Sequence, residues 1–521
     1  RLLQFLNSDP LETHIIEDNQ QYYLLLIIWF QSFQNLSEER NFVFLSNKIE
    51  PSSVLEKAPL YDDLKKKLIR EKFLGPNFTE SYCWPPVARG CDVVAISYEG
   101  NDPFLYIPPV LTFLQSESCY KALPSRNGVS LILCPGWKKA QLVFELLKTY
   151  GRCSRQLHPM LIILGQKKEE AKRVKIQGCD IIVTTPYSLL RLYEHHCLLF
   201  CRLCHLVFDE IEVLFSEATE QVFTVLDYYK KTISTEEWKY LPHQIIAVGT
   251  HWNKHIARLI KEFMNDPYVV ITAMEEASIY GNVQQVVQHC LSSERTAVLL
   301  KMLDFTPNNL QKVLVFTNSV DEVEMVHKAL KSNSVFALKI YKEREFNFKY
   351  ILEHWTKSYT SGSHVVLVLT DDCMQFLRIT DASCVIHFSF PSSPRIFGQR
   401  LCNMSDNFHN MIKDSFVGQE HTKAKSVILL TENNACHTLG ILRFLKRAEA
   451  EIPPKLHDYV ARMLEAEEEK KSARPLCTFL KTFGICKNRT MCPDRHQINL
   501  QIDILQNMPD KIIQTSGCVT V

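Results

Sequence analysis

The sequence predicts an α/β protein with two parallel-sheet domains in tandem, followed by a small cysteine-rich module. Three observations carry that expectation. From about residue 90, short β-branched and apolar runs alternate with longer helical patterns, the signature of βαβ units. The alternation breaks at a mostly polar stretch, Glu276–Asn282, and then begins again, so there are two series. The length of 521 residues suits three or four domains of roughly 150 residues, each able to bury its own core.

Residues 1–54 read as an N-terminal flank. Their apolar run Tyr22–Phe30 is shorter than the roughly 20 residues that cross a bilayer, so no membrane partner is expected. The first domain is expected over 55–275, with strands at Asp92–Ile96, Val129–Leu133, Met160–Leu164, Asp180–Thr184, His205–Phe208 and Gln244–Val248. A linker over 276–283 leads to a second domain over 284–464. Its strands are Gln284–Gln288, Lys312–Phe316, Val335–Ile340, His364–Leu369, Cys384–Phe388 and Ser426–Leu430. Helices are expected at Asp321–Leu330, Phe346–Trp355, Leu439–Ala450 and Lys455–Leu464, the last opened by Pro453-Pro454. The charge run Glu465–Lys471 reads as a solvated helix end, the cysteine-rich module covers 470–500, and 501–521 is a tail. Arg1 opens the chain with neither a methionine nor a signal pattern, as expected for an excerpt of a longer protein.

Composition narrows the function. With 59 Lys+Arg against 58 Asp+Glu, the net charge is +1, so any grip on nucleic acid has to be local. A hydrophobic share of 46%, a charged share of 22%, 16 Gly and 23 Pro exclude disordered and fibrous classes. The 18 cysteines are spread without a repeating framework, which favours a reducing cytosolic or nuclear setting.

The module itself reads Cys477-x8-Cys486-x5-Cys492-x3-His496. Three thiolates and one imidazole make a closed tetrahedral Zn²⁺ site that can fold a segment too small for its own core. The spacing resembles the CCCH zinc fingers, many of which bind single-stranded RNA. From Lys470 to Gln497 there are seven Lys or Arg against Asp494 alone, a local +6 that suits phosphate contact. Phe479 and Phe483 are candidate stacking faces, or covers for the metal site.

A second signal stands at a strand end, Asp209-Glu210-Ile211-Glu212 after Leu206-Val207-Phe208. One carboxylate of such a pair can hold Mg²⁺ through water and the next can orient attacking water; the alternative is an acidic strand end that caps the next helix. Its ordered neighbours resemble the DEAD-box RNA helicase family over about residues 55–455. They are Ser81–Pro85 with Gly90–Asp92, Cys134–Lys138 in place of P-T-R-E-L, Gly178–Ser188, Val313–Thr317, Thr370-Asp371 and Gln399-Arg400. The resemblance implies two RecA-like lobes of a superfamily 2 helicase core, with ATP and Mg²⁺ at the first lobe and Asp209 and Glu210 as catalytic residues.

The departures are as informative. In the phosphate loop, Ser97, Gly100, Asn101 and Asp102 occupy the cofactor-binding positions, with Asn101 in place of the family's Lys and Asp102 in place of its Thr, and the loop reads two residues short. Glu99 and Asp102 are expected to face a triphosphate with no cation from the loop, at about 1 kcal/mol per like-charge contact even in water. Val248-Gly249-Thr250 replaces Ser-Ala-Thr, Gln375 and Asn403 stand at arginine positions, and Arg400 remains as a candidate phosphate contact. The RNA-gripping positions correspond to Gly136, Trp137, Lys138, Lys139, Thr185 and Pro186, with a solvated helix start as the alternative.

The eroded loop, D-E-I-E and a trailing CCCH finger together resemble germline helicase-like proteins that carry Tudor domains. That resemblance implies Piwi-interacting RNA metabolism and transposon silencing in cytoplasmic germ granules, with Piwi-clade Argonaute and Tudor-domain partners. Three readings follow: a single-stranded-RNA-binding scaffold with weak or absent ATPase activity, an active ATP-dependent RNA helicase with a remodelled loop, or a protein-interaction module without RNA binding.

Overall fold

A computed structural model of the chain describes residues 42–115, 129–152, 156–165, 168–176, 178–195, 203–233, 243–303, 310–342, 348–357, 363–410, 412, 424–472 and 477–478. It divides into two compact units, Arg1–Gln284 with Leu303–Ser426, and Gln285–Met302 with Val427–Val521.

The first unit contains an eight-stranded sheet in the order β1-β8-β2-β7-β6-β3-β5-β4. The strands are β1 Phe44–Leu45, β2 Val93–Ile96, β3 Val129–Leu133, β4 Pro159–Ile162, β5 Ile181–Thr184, β6 Leu203–Asp209, β7 Gln244–Gly249 and β8 Tyr268–Ile271. Strands β2 to β8 run parallel, and β1 pairs antiparallel with β8 at the edge. Alternation along each strand builds two cores. Val94, Ile96, Leu131, Leu133, Leu206 and Phe208 pack on one face, and Val93, Ala95, Ile132, Val207, Ile246 and Val248 on the other. Both faces are covered, which is why these strands read as continuous apolar runs.

Local chemistry sets where the strands begin. The helix Phe78–Ala88 ends at Gly90, whose φ of +80° places it in the left-handed region, with Gly90 N donating to Val87 O and Cys91 N to Pro86 O, both at 3.1 Å. The chain then enters β2.

Two expectations change. The flank ahead of residue 55 supplies β1, and Ser46 Oγ donates to Pro267 O at 3.1 Å, so this part of it belongs to the first sheet. The linker expected over 276–283 is mostly helix, Met274–Tyr280, with Glu276, Ala277, Ser278 and Tyr280 buried. Its polar appearance misleads because Glu276 Oε2 accepts from Trp252 N at 2.8 Å inside the protein.

The same unit holds parallel strands in the order β11-β12-β10-β13: β10 Gln311–Thr317, β11 Ala337–Ile340, β12 His364–Thr370 and β13 Cys384–His387. In the second unit lie most of β9 Gln284–His289 and β14 Lys425–Leu430, followed by the helices Thr438–Arg447 and Pro454–Ser472. The strands expected in a single second domain are thus shared between the two units.

Candidate functional site

Because β2, β7, β6, β3 and β5 are neighbours and parallel, their carboxyl ends bring five segments to one edge of the sheet: 97–102, 249–250, 209–210, 134–139 and 185–186.

The segment after β2 is folded onto itself. Ser97 N donates to Gly249 O at 3.0 Å, Gly100 N to Ser97 O at 2.9 Å and Asp102 N to Glu99 O at 2.9 Å. A Cβ on Gly100 would meet Gly249 O at 1.7 Å, so the two backbones are in direct contact. A phosphate cradle needs loop N–H groups aimed at the ligand, and here three of them are committed within the protein. The expectation that Glu99 and Asp102 face a triphosphate is replaced by other contacts. Glu99 Oε2 accepts from Asn77 Nδ2 at 2.7 Å, and Asp102 Oδ1 accepts from Phe104 N at 2.9 Å to cap the turn Pro103–Leu105. Tyr98 Oη donates to Glu275 Oε2 at 2.5 Å and accepts from Met274 N at 3.3 Å. Ser97 is buried, and its Oγ has no hydrogen-bond partner among the described residues.

The acidic pair lies two strands away. Glu210, at φ 55° and ψ 57°, makes the left-handed turn from β6 into the helix Ile211–Glu217. Asp209 is fully buried; its Oδ2 accepts from Tyr106 Oη at 3.0 Å and its Oδ1 stands 3.7 Å from Lys139 Nζ. Lys139 Nζ lies 2.7 Å from Glu210 Oε1 and also donates to Asn101 O. Burial pushes the Asp209 carboxyl up to about 7, opposed by the Lys139 ammonium and the Tyr106 hydrogen bond. For Lys139, burial favours the neutral amine, but Asp209 and Glu210 outweigh it and hold the group protonated. Burial and Asp209 raise the Tyr106 phenol well above its ordinary value, which keeps it a donor.

Glu212 joins this edge to β7. Its Oε1 accepts from Thr250 N at 3.1 Å and Thr250 Oγ1 at 2.6 Å. A Cβ at position 249 would lie 2.1 Å from Glu212 Oε2 and 2.9 Å from Ile211 Cγ2, so the alanine of the family resemblance would displace the Glu212 carboxylate from its present place.

These contacts do not fit the nucleotide and Mg²⁺ that the resemblance implies. The loop amides are turned inward, Tyr106 holds one Asp209 oxygen, and the Lys139 ammonium holds Glu210 and faces the other Asp209 oxygen, Oδ1, which accepts no hydrogen bond among the described residues.

The expected RNA positions separate. Trp137 opens the helix Trp137–Tyr150 and is 62% exposed, with Lys138 Nζ 5.8 Å from its ring centroid. Lys139 instead turns inward, its side chain 13% exposed. Thr185 is the residue before the helix Pro186–Tyr193, and its Oγ1 donates to Ser188 Oγ at 3.0 Å. Beside it the exposed Tyr187, not singled out in the sequence, presents a second aromatic.

Arg400 is buried in the helix Pro394–Cys402. Nε and Nη2 clasp Asp371 at 2.6 and 2.8 Å, Nη1 reaches Ser389 O at 2.7 Å and His387 Nδ1 at 3.4 Å, and Nη2 reaches Asn318 Oδ1 at 3.1 Å. A guanidinium has five N–H donors, and all five are engaged within the fold. Asn403 Nδ2 donates to Gln399 O and Arg400 O, and Gln375 is exposed.

Of the expected zinc ligands, Cys477 is described and buried; Cys486, Cys492 and His496, with Phe479 and Phe483, lie outside the described residues. Tyr98, Tyr106, Asn77 and Glu275 were not legible as site residues. The one available signal was a tyrosine, Tyr106, inside an otherwise apolar run.

Residues 107–250 match the family model described as DEAD/DEAH box helicase. The chain carries a DEAD-box domain. The match opens just after the closed loop and ends at Thr250, within the motif that Glu212 holds. The chain bearing this DEAD-box domain is 55% identical over 523 residues to human TDRD12, covering 100% of this chain and 44% of that protein. It is 24% identical to Bombyx mori TDRD12 over 91% of this chain and 26% of that protein. To the Drosophila melanogaster ATP-dependent RNA helicase p62 it is 22% identical, over 82% of this chain and 56% of that protein. The chain thus spans less than two thirds of each relative, and no described helix is long and apolar enough to cross a membrane.

Proposed function

We propose that this chain is the RNA-binding, helicase-like part of a germline protein of Piwi-interacting RNA metabolism and transposon silencing, acting as a scaffold with weak or absent ATP turnover. The closed loop carries this reading: Gly100 packed on Gly249 O, and the Ser97, Gly100 and Asp102 amides committed internally. The exposed Trp137 and Lys138 at the same sheet edge support an RNA surface that needs no nucleotide. The 55% identity to human TDRD12, an ATP-dependent RNA helicase by name, supports the helicase-like part of this reading, while the germline role, the germ-granule location and the Piwi-clade Argonaute and Tudor-domain partners rest on the sequence resemblance. A Zn²⁺ finger of Cys477, Cys486, Cys492 and His496 extends the RNA surface in this reading. A second reading, an active ATP-dependent helicase, is favoured by the Asp209-Glu210 pair at the carboxyl end of β6.

The test is RNA affinity with and without ATP, together with RNA-stimulated phosphate release, for the chain and its Asp209→Ala, Glu210→Ala variant. The scaffold reading expects ATP-independent RNA binding and background release in both. Turnover that vanishes in the variant would replace it with the second reading. For the finger, Cys486→Ser is expected to release zinc and weaken RNA crosslinking; unchanged crosslinking moves RNA binding elsewhere.

A further inference from the structure

We propose that Lys139 is a resident counter-ion that takes the place of a divalent metal between Asp209 and Glu210, so that this acidic pair rejects Mg²⁺ as long as the ammonium is present. The proposal rests on the reading of an idle site and goes beyond it by naming the cation that idles it.

Geometry carries the assignment. Strand β3 lies beside β6, so the helix that follows β3 starts next to the turn after Asp209. Three consecutive residues of that helix divide by environment: Trp137 and Lys138 are exposed, while the Lys139 side chain is 13% exposed. An ammonium has three donors. One meets Glu210 Oε1 at 2.7 Å, another meets Asn101 O, and the group stands 3.7 Å from Asp209 Oδ1. The remaining Asp209 oxygen accepts from Tyr106 at 3.0 Å. Asp209 Oδ1 accepts no hydrogen bond among the described residues and faces the Lys139 ammonium at 3.7 Å, so a divalent ion shared by both carboxylates would have to displace Lys139 from Glu210 or stand within about 4 Å of a like charge in a buried setting. Asn101 contributes its main-chain carbonyl, so the loop that would ordinarily bring a cation instead helps to fasten one from another strand.

Binding of Mn²⁺ alone, followed by electron paramagnetic resonance on the full chain without nucleotide, tests this. Wild type and Lys139→Arg are expected to take up no Mn²⁺ at this site. Lys139→Met is expected to bind at least about tenfold more tightly than wild type, because the competing charge is gone. Adding Asp209→Asn to Lys139→Met should abolish the gain. Circular dichroism checks the fold, and Lys139→Gln replaces Lys139→Met should the latter not fold. Mn²⁺ binding by wild type as tight as that of Lys139→Met overturns the proposal, as does a folded, uncharged variant that binds no better than wild type. RNA-stimulated phosphate release by the wild-type chain would instead sink the reading of an idle site. An idle wild type with no metal gain in the variant sinks the counter-ion alone.

Discussion

Tyr98 Oη donates to Glu275 Oε2 at 2.5 Å and so ties the loop after β2 to the helix Met274–Tyr280. That helix is itself packed closely: a Cβ on Gly398 would meet Met274 Cβ at 2.7 Å. Tyr98→Phe removes the tie without changing the ring. The expected cost is about 1 kcal/mol of stability, accompanied by faster hydrogen exchange at the Gly100 and Asp102 amides. Unchanged exchange at those two amides would count against the loop being held shut by this bond.

Asp209 makes the fold pH-sensitive in a definite direction. In the folded chain burial holds its proton up to about pH 7, whereas an unfolded aspartate releases it near roughly pH 4. Between those values the folded state binds more protons, so the contribution of this group to stability is full below the lower value and is lost as pH rises through the higher. Asp209→Asn has no such step. Wild type is therefore expected to lose stability relative to Asp209→Asn as pH rises across that interval, read from denaturation midpoints; parallel curves would contradict the shift.

Arg400 binds the ends of β10, β12 and β13 together through Asn318, Asp371 and Ser389. Arg400→Met leaves the Asp371 carboxylate without its bidentate partner, at an expected cost of about 3–5 kcal/mol. Adding Asp371→Asn should recover part of it, because the orphaned charge goes with the substitution. Chemical denaturation of the two variants measures the difference, and equal losses would argue against a coupled pair.

Trp137 stands apart from the core, so Trp137→Ala is expected to leave the melting temperature unchanged. Its expected effect is on single-stranded RNA, a loss of about 1–3 kcal/mol per stacked base, measured by fluorescence polarisation. Full affinity in the variant would move the stacking surface elsewhere, with Tyr187 next in line.

Most of the parallel strands were legible because both sheet faces are buried, which leaves runs such as Val93–Ile96 and Ile181–Thr184 apolar throughout; β8, Tyr268–Ile271, has the same character and was not among the expected strands. Phe44–Leu45 was not, since two residues carry no periodicity and owe their pairing to β8, more than 200 positions away. Asp209 and Glu210 could be picked out because a strand end followed by an acidic pair is a local pattern. The partners of that pair could not. Lys139 reads as one of two adjacent surface lysines until β3 is placed beside β6, and Tyr106 reads as core until its hydroxyl finds Asp209. Glu99 and Asp102 were identified as carboxylates in the right loop, but their hydrogen bonds to Asn77 and Phe104 follow from how the loop folds.

The bond from Lys139 to the Asn101 carbonyl also bears on reversion. Restoring a lysine at position 101 alone would add a second ammonium to a loop whose carbonyl already fastens the Lys139 ammonium, with the loop amides still turned inward. Recovering an ordinary phosphate loop takes several simultaneous changes, each unfavourable without the others. The altered engine therefore has the character of a ratchet: with its cation on the neighbouring helix and its loop amides turned inward, no single substitution restores the ordinary arrangement.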